Sequence, residues 1–291
     1  MQARYTASVK RVFLAFREAG IRFSRDGCGF LAQAVAFNSL FALFPLFVLA
    51  TTVASYVFPI PEHRVYAIVQ DLAPQLRGYI ENSVHTYMYG RGVSSLVAIA
   101  FLVWSGKNLF MALAYALDRA IGVPKGRPLV HNIARSLIIL PIIGIMLIVA
   151  MALPIILSVA LAVAKLPDSR HMAQLSGYII ALALVFVVTL TLYAFLPNRK
   201  LSWRFGVPGA IFAASIWPVV QFAFAQYTIR VNFTAIYGAL SAPLVLLLWF
   251  YLVGSIFLFG AELCTAWASQ TGTERVPTLI DQLDPITEDV S

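Results

Sequence analysis

Residues 177–196 read GYIIALALVFVVTLTLYAFL, twenty positions without one charged side chain. A helix on the surface of a soluble domain would carry a polar face. A strand in a membrane barrel would alternate apolar and polar residues over about ten positions. This run does neither, and about 20 apolar residues at the helical rise match the hydrocarbon thickness of a bilayer. Five more runs of this kind lie around it, at 31–58, 93–117, 137–165, 207–229 and 236–268. Several exceed the minimum length, and Pro45, Pro141, Pro154, Pro218 and Pro243 fall within them, so tilted or kinked spans are expected. The whole composition agrees. Of 291 residues, 60% are hydrophobic and 12% charged, with a mean hydropathy of +0.82. A soluble fold of this size would lack polar groups for its exterior, and a disordered chain would be far less apolar. The expected fold is an all-α integral membrane protein with six transmembrane helices. A membrane domain at 31–268 lies between a basic segment at 1–30 and an acidic tail at 269–291, which is expected to be disordered.

The net charge is +8. In a membrane protein, the first explanation is retention of basic residues on the cytoplasmic side. Counting Lys and Arg between the runs gives 14 in the N-terminal segment, the 118–136 and 197–206 loops and the tail. The opposite side holds six. That asymmetry places both termini in the cytoplasm. No short apolar run ending in a cleavage site opens the chain, so no signal peptide is expected. Cys28 and Cys264 suggest neither a metal-ligand spacing nor a disulfide framework.

Two flanking segments carry helical patterns. Val9, Val12, Phe13, Phe16 and Phe23 recur at helical spacing among Lys10, Arg11, Arg17, Arg22 and Arg25. This suits an amphipathic helix lying among anionic headgroups, or one packed under the bundle. In 59–92, apolar stripes on either side of Pro74 predict two short amphipathic helices on the outer face.

Polar residues inside spans are costly and each needs an account. Asn38 and Pro45 share a helix face in the first span, as a polar deformable cavity wall or as an interhelical hydrogen bond with a packing kink. Trp104, Lys107 and Asn108 lie in the second. Lys107 sits too deep to snorkel easily, so it should face protein or water. Glu262 in the sixth span lies in the same cytoplasmic half by residue count. The two charges read as an ion pair or as a charged-substrate or proton site. Gln221 and Tyr237 complete the candidate substrate pathway. Small residues from Gly206 to Ala214 allow close helix approach.

Enzyme chemistry finds little support. His63, His85, His131 and His171 are scattered, no pair has metal-ligand spacing, and neither a nucleophile elbow nor a phosphate-binding glycine loop occurs. No cofactor, metal site or nucleic-acid partner is expected.

The run from Asp26 through Ala34-Val35-Ala36-Phe37-Asn38-Ser39-Leu40-Phe41-Ala42-Leu43-Phe44-Pro45-Leu46 resembles the first-span signature of the YihY/BrkB family of bacterial inner-membrane proteins. Pro197-Asn198, Trp203 and Pro208-Gly209-Ala210 resemble its fifth-span entry. Tyr237-Gly238-Ala239-Leu240, Leu247-Leu248-Trp249-Phe250-Tyr251 and Gly260-Ala261-Glu262-Leu263 resemble its sixth. Trp104-Ser105-Gly106-Lys107 matches more loosely. The likeness extends over roughly residues 20–270. Asn38 stands where family members usually carry an aromatic residue, which would alter selectivity if that position lines a cavity. The resemblance implies six spans, an inner-membrane location, membrane lipids as partners, and a link to envelope integrity and to export of lipid-like or small solutes. It also carries an old label as a tRNA-processing ribonuclease, now considered mistaken. The function expected is a transporter or lipid-translocating protein; the alternatives are a non-transporting envelope scaffold and, third, a membrane enzyme. A homo-oligomer is left open.

Overall fold

The computed structural model describes residues 2–57, 91–123, 169–199, 201–231 and 233–272. Among these residues all regular structure is helical: α1 (Gln2–Arg25), α2 (Cys28–Val57), α3 (Arg91–Ile121), α4 (Ser169–Phe195), α5 (Trp203–Arg230), α6 (Phe233–Tyr237) and α7 (Ser241–Thr271). Five of them, α2, α3, α4, α5 and α7, contain stretches long and apolar enough to cross a membrane. They correspond to the first, second, fourth, fifth and sixth expected runs. The third, 137–165, lies outside the described residues. So do the two short helices expected in 59–92, three of the four histidines and all but the start of the acidic tail. That start is helical, since α7 continues to Thr271.

The final run departs from its expected form. The sequence predicts one span over 236–268, but α6 stops at Tyr237 and a 3-10 turn, Gly238–Leu240, precedes α7. Gly238 has φ +54°, a left-handed backbone that only glycine adopts cheaply, and this divides the apolar run.

The chain forms two compact units, one of residues 1–37 with 109–291 and one of residues 38–108. In the first unit, α1 and α2 are joined by only Asp26 and Gly27. Gly27 has φ +68°, and its carbonyl accepts the Phe30 and Leu31 amides at 3.0 and 3.1 Å. At the other end of the unit's chain break, α3 closes in a Schellman motif. The Gly122 amide donates to the Arg119 carbonyl at 3.2 Å, and the Val123 amide to the Asp118 carbonyl at 2.9 Å.

Helix α7 packs against α1 and α5, and α5 packs against α4. The core lies where the start of α2, the ends of α3 and α4, the start of α5 and the second half of α7 converge. Cys28, Ala32, Leu117, Ile121, Tyr193, Phe205 and Leu258 are buried there. Helix α1 is seated by small residues: Ala15 and Ala19 are fully buried against Leu263 and Ala266. Phe16 meets Phe212 edge-on with ring centroids 5.7 Å apart, while Phe13 remains 68% exposed. The helix therefore both packs on the bundle and presents an apolar, basic outer face.

In the second unit, α2 continues helically through the buried Pro45. On α3, the Ser105 hydroxyl donates to the Leu102 carbonyl at 3.3 Å, and the Phe101 and Trp104 rings lie 5.3 Å apart.

Candidate functional site

Glu262 is 0% exposed on α7. Its placement follows from what surrounds it in sequence. Gly260 and Ala261 before it, and Thr265 and Ala266 after it, let neighbouring helices close over the carboxyl group. The tight turn at Gly27 delivers Cys28, the first residue of α2, to the same point. The Cys28 thiol donates to Glu262 Oε1 at 3.3 Å. Among the described residues, Oε2 has no hydrogen-bond partner. A thiol is a weak donor, so this carboxyl group is sparsely solvated for one withdrawn from water. Such a group can take up a proton or bind a cationic or hydrogen-bonding ligand.

Around it the helices cross closely. The Gly209 amide on α5 donates to Cys264 Sγ at 3.3 Å. The Tyr193 hydroxyl on α4 donates to the Phe257 carbonyl at 2.5 Å, and its ring stacks on Phe257 at 4.9 Å. A Cβ at position 209 would lie 2.6 Å from Cys264 Sγ and 2.8 Å from the Tyr193 ring, and would strike the Gly260 carbonyl oxygen. A Cβ at 260 would strike the Tyr193 hydroxyl. Thr265 satisfies its hydroxyl on the Ala261 carbonyl at 3.1 Å.

A second polar junction ties α3 to the segment after α4. Asp118 Oδ1 accepts the Asn198 backbone amide at 2.8 Å, and Oδ2 accepts the Asn198 side-chain amide. A carboxylate receiving two donors in a mostly buried setting is a strong fixing point.

Of the residues expected along a substrate pathway, Glu262 alone is fully buried. Gln221 and Tyr237, in the same unit, are exposed, and Tyr237 stacks on Phe233 at 6.1 Å. Asn38, Pro45, Trp104, Lys107 and Asn108 belong to the other unit. There Pro45 is buried, Asn38, Lys107 and Asn108 are half-buried, and Trp104 is exposed. Sequence reasoning passed over Cys28 and Tyr193, because neither a lone cysteine nor a tyrosine in an apolar run announces a partner. Among the described residues, no group of three His, Cys, Asp or Glu side chains could hold a metal ion.

Comparison with known proteins places the chain among membrane proteins. The chain is 29% identical to the ribonuclease-like protein YfkH of Bacillus subtilis (strain 168), over 79% of its own length and 86% of that protein. It is 27% identical to a UPF0761 membrane protein of Aliivibrio salmonicida, over 90% and 86% of the two chains. It is 25% identical to a UPF0761 membrane protein of Alkalilimnicola ehrlichii, covering 85% of this chain but only 57% of that longer relative. No solved structure matches the chain. The family model described as virulence factor BrkB matches residues 20–279, a range that takes in all five apolar helices, the Cys28–Glu262 contact and the Asp118–Asn198 junction. The protein is a multi-pass helical membrane protein and belongs to this BrkB family.

Proposed function

We propose that the protein is a bacterial inner-membrane transporter or lipid-translocating protein serving the cell envelope, with six spans, kinked where prolines fall within them, and both termini in the cytoplasm. Glu262 is the observation that carries this reading. A buried carboxyl group with an unmatched oxygen among the described residues, inside a membrane-length helix, costs stability that a purely structural bundle has no reason to bear. The test is a headgroup-accessibility assay in proteoliposomes beside a solute-flux assay. Wild-type protein accelerates one of them, and Glu262→Gln abolishes the acceleration while the protein stays folded. A wild type no faster than empty vesicles would overturn the proposal. Lys107 is part of the same reading: Lys107→Met and Glu262→Gln each lower stability or activity.

A scaffold without transport is favoured by a different observation, the glycine crossing of α4, α5 and α7, which resembles a solid bundle. In that case Glu262→Gln alters stability while the wild type accelerates neither assay. The ribonuclease reading, which the name of YfkH raises, is checked directly: nuclease-free protein leaves RNA intact with Mg²⁺ or Zn²⁺. Cleavage that vanished on mutating Asp118 or a loop histidine would revive it. Cysteine labelling should reach 59–92 from outside and 197–206 from inside, and the reverse pattern would refute the orientation.

A further inference from the structure

A groove of about 500 Å³ lies between α1, α5 and α7. Its walls are apolar: Val12 and Phe16 from α1, Ile211 and Phe212 from α5, Leu263 and Trp267 from α7. Among the described residues its only charged lining residue is Arg204, one residue into α5, and along α5 the lining runs to Ser215. From Arg204 to Ser215 is about 16 Å along the helix at 1.5 Å per residue. One leaflet of a bilayer's hydrocarbon core is about 15 Å deep. The groove thus has the depth of a single acyl chain and a cation at its mouth.

The mouth is also where the membrane surface should lie. Trp203 is 61% exposed, and the Arg204 guanidinium sits 5.5 Å above its ring, an arrangement suited to the headgroup layer. Among the described residues, no carboxylate lies within ion-pair distance of Arg204. On the other flank of α1, a second groove is lined by Arg11, Arg17, Arg22 and Arg25 with Glu18; Arg22 is bridged to Glu18 at 2.6 Å and Arg25 to Asp26 at 3.4 Å. Arg204 at the groove, together with Arg11 and Arg17 on the other flank of α1, favours an anionic over a zwitterionic lipid.

We infer that the groove holds one acyl chain of an anionic phospholipid whose phosphate is bound by Arg204, and that this lipid helps to fasten α1 to α5 and α7. The inference stands apart from transport, since a resident lipid would serve a scaffold equally. Full-length protein, purified and stripped of lipid in detergent, is offered phosphatidylglycerol or phosphatidylcholine. Bound lipid is read by native mass spectrometry and stability by the thermal midpoint. Phosphatidylglycerol should bind more tightly and raise the midpoint further. Arg204→Gln should remove that preference, weakening phosphatidylglycerol about tenfold or more, the worth of a charged hydrogen bond. Ile211→Trp should fill the groove and displace both lipids. Ile211 is 53% exposed, so the larger side chain should be tolerated. Should it not accumulate, Ile211→Gln, which makes the wall polar without filling it, should show the same loss. Equal binding of the two lipids by the wild type, or retention unchanged in these variants, would overturn the inference. So would an equal midpoint shift from inorganic phosphate alone. Loss of a dimer in Ile211→Trp with lipid retention intact would assign the groove to a second copy instead.

Discussion

Helices α5 and α7 meet differently at their two ends. Where α5 begins, Phe205, Gly206, Gly209, Ala210 and Ala213 are buried; Gly209 lies against Gly260 and Cys264 of α7, and Gly206 against Leu190 and Tyr193 of α4. Toward the other end of α5, Val219, Phe222, Tyr227 and Ile229 are exposed, and Leu244 near the start of α7 is exposed too. There the two helices are linked by large rings: Trp217 and Trp249 lie 5.5 Å apart, and Phe224 and Trp249 4.9 Å. Helix α4 follows the same division, with Tyr193 buried near its end and Tyr178 and Ile179 exposed near its start. All of these segments are strongly apolar. Hydrophobicity does not separate the two ends, and neither do rings alone, since Phe212 and Phe259 lie 5.0 Å apart at the first end; what marks that end is the run of glycine and alanine between the rings. Without a hydrophobic drive between helices inside a bilayer, close contact is gained by backbones that can approach, and glycine and alanine permit that.

If size sets the difference, the largest losses come from adding atoms at the small end. Gly260→Val should cost roughly 3 kcal/mol or more, because the new carbons meet the Tyr193 hydroxyl. The check is folded yield and thermal midpoint in detergent, and a near-wild-type midpoint would refute the crossing. Asp118→Ala should come next, at roughly 2–3 kcal/mol, through loss of two charge-assisted hydrogen bonds from Asn198. The same melt would show it, with the largest change in exchange protection expected around Asn198. Cys28→Ala should cost about 1–2 kcal/mol by leaving Glu262 without its described donor, while Cys28→Ser should restore most of the loss. Equal destabilisation by alanine and serine would show that the thiol serves only as a filler. At the ring-linked end, Trp249→Leu should cost about 1 kcal/mol, the worth of its aromatic pairs. Val219→Ala should stay within about 0.5 kcal/mol. A Val219 variant as damaging as Gly260→Val would erase the distinction between the ends.

What the sequence made legible follows from this. Long uncharged runs such as 177–196 reveal themselves because a bilayer tolerates so little charge, and the five described membrane-length helices fall on them. The short segments Pro208-Gly209-Ala210 and Gly260-Ala261-Glu262 stood out as motifs, and both lie at the helix crossing. The pairings did not show. Cys28 and Glu262 are 234 positions apart, Asp118 and Asn198 are 80 apart, and nothing local to any of these residues names its partner. In α1, periodicity drew attention to the phenylalanines, whereas the buried face is made by Ala15 and Ala19. Hydropathy weighs what a side chain gains by burial and is blind to how near it lets a neighbour come. The break at Gly238 was hidden for a related reason, since a glycine in an apolar run reads equally as a packing residue or as a turn.

The joint between α1 and α2 has a mechanical consequence. Two residues, Asp26 and Gly27, leave the linkage no slack, and both backbone amides are tied into it: Asp26 to the Arg22 carbonyl at 2.8 Å and Gly27 to Ser24 at 3.3 Å. The next residue, Cys28, is the one that holds Glu262. A lateral pull on α1 from the lipid surface is therefore not absorbed along a loop. It arrives within a single residue at the buried carboxyl group, so α1 is a lever whose short arm ends on the thiol.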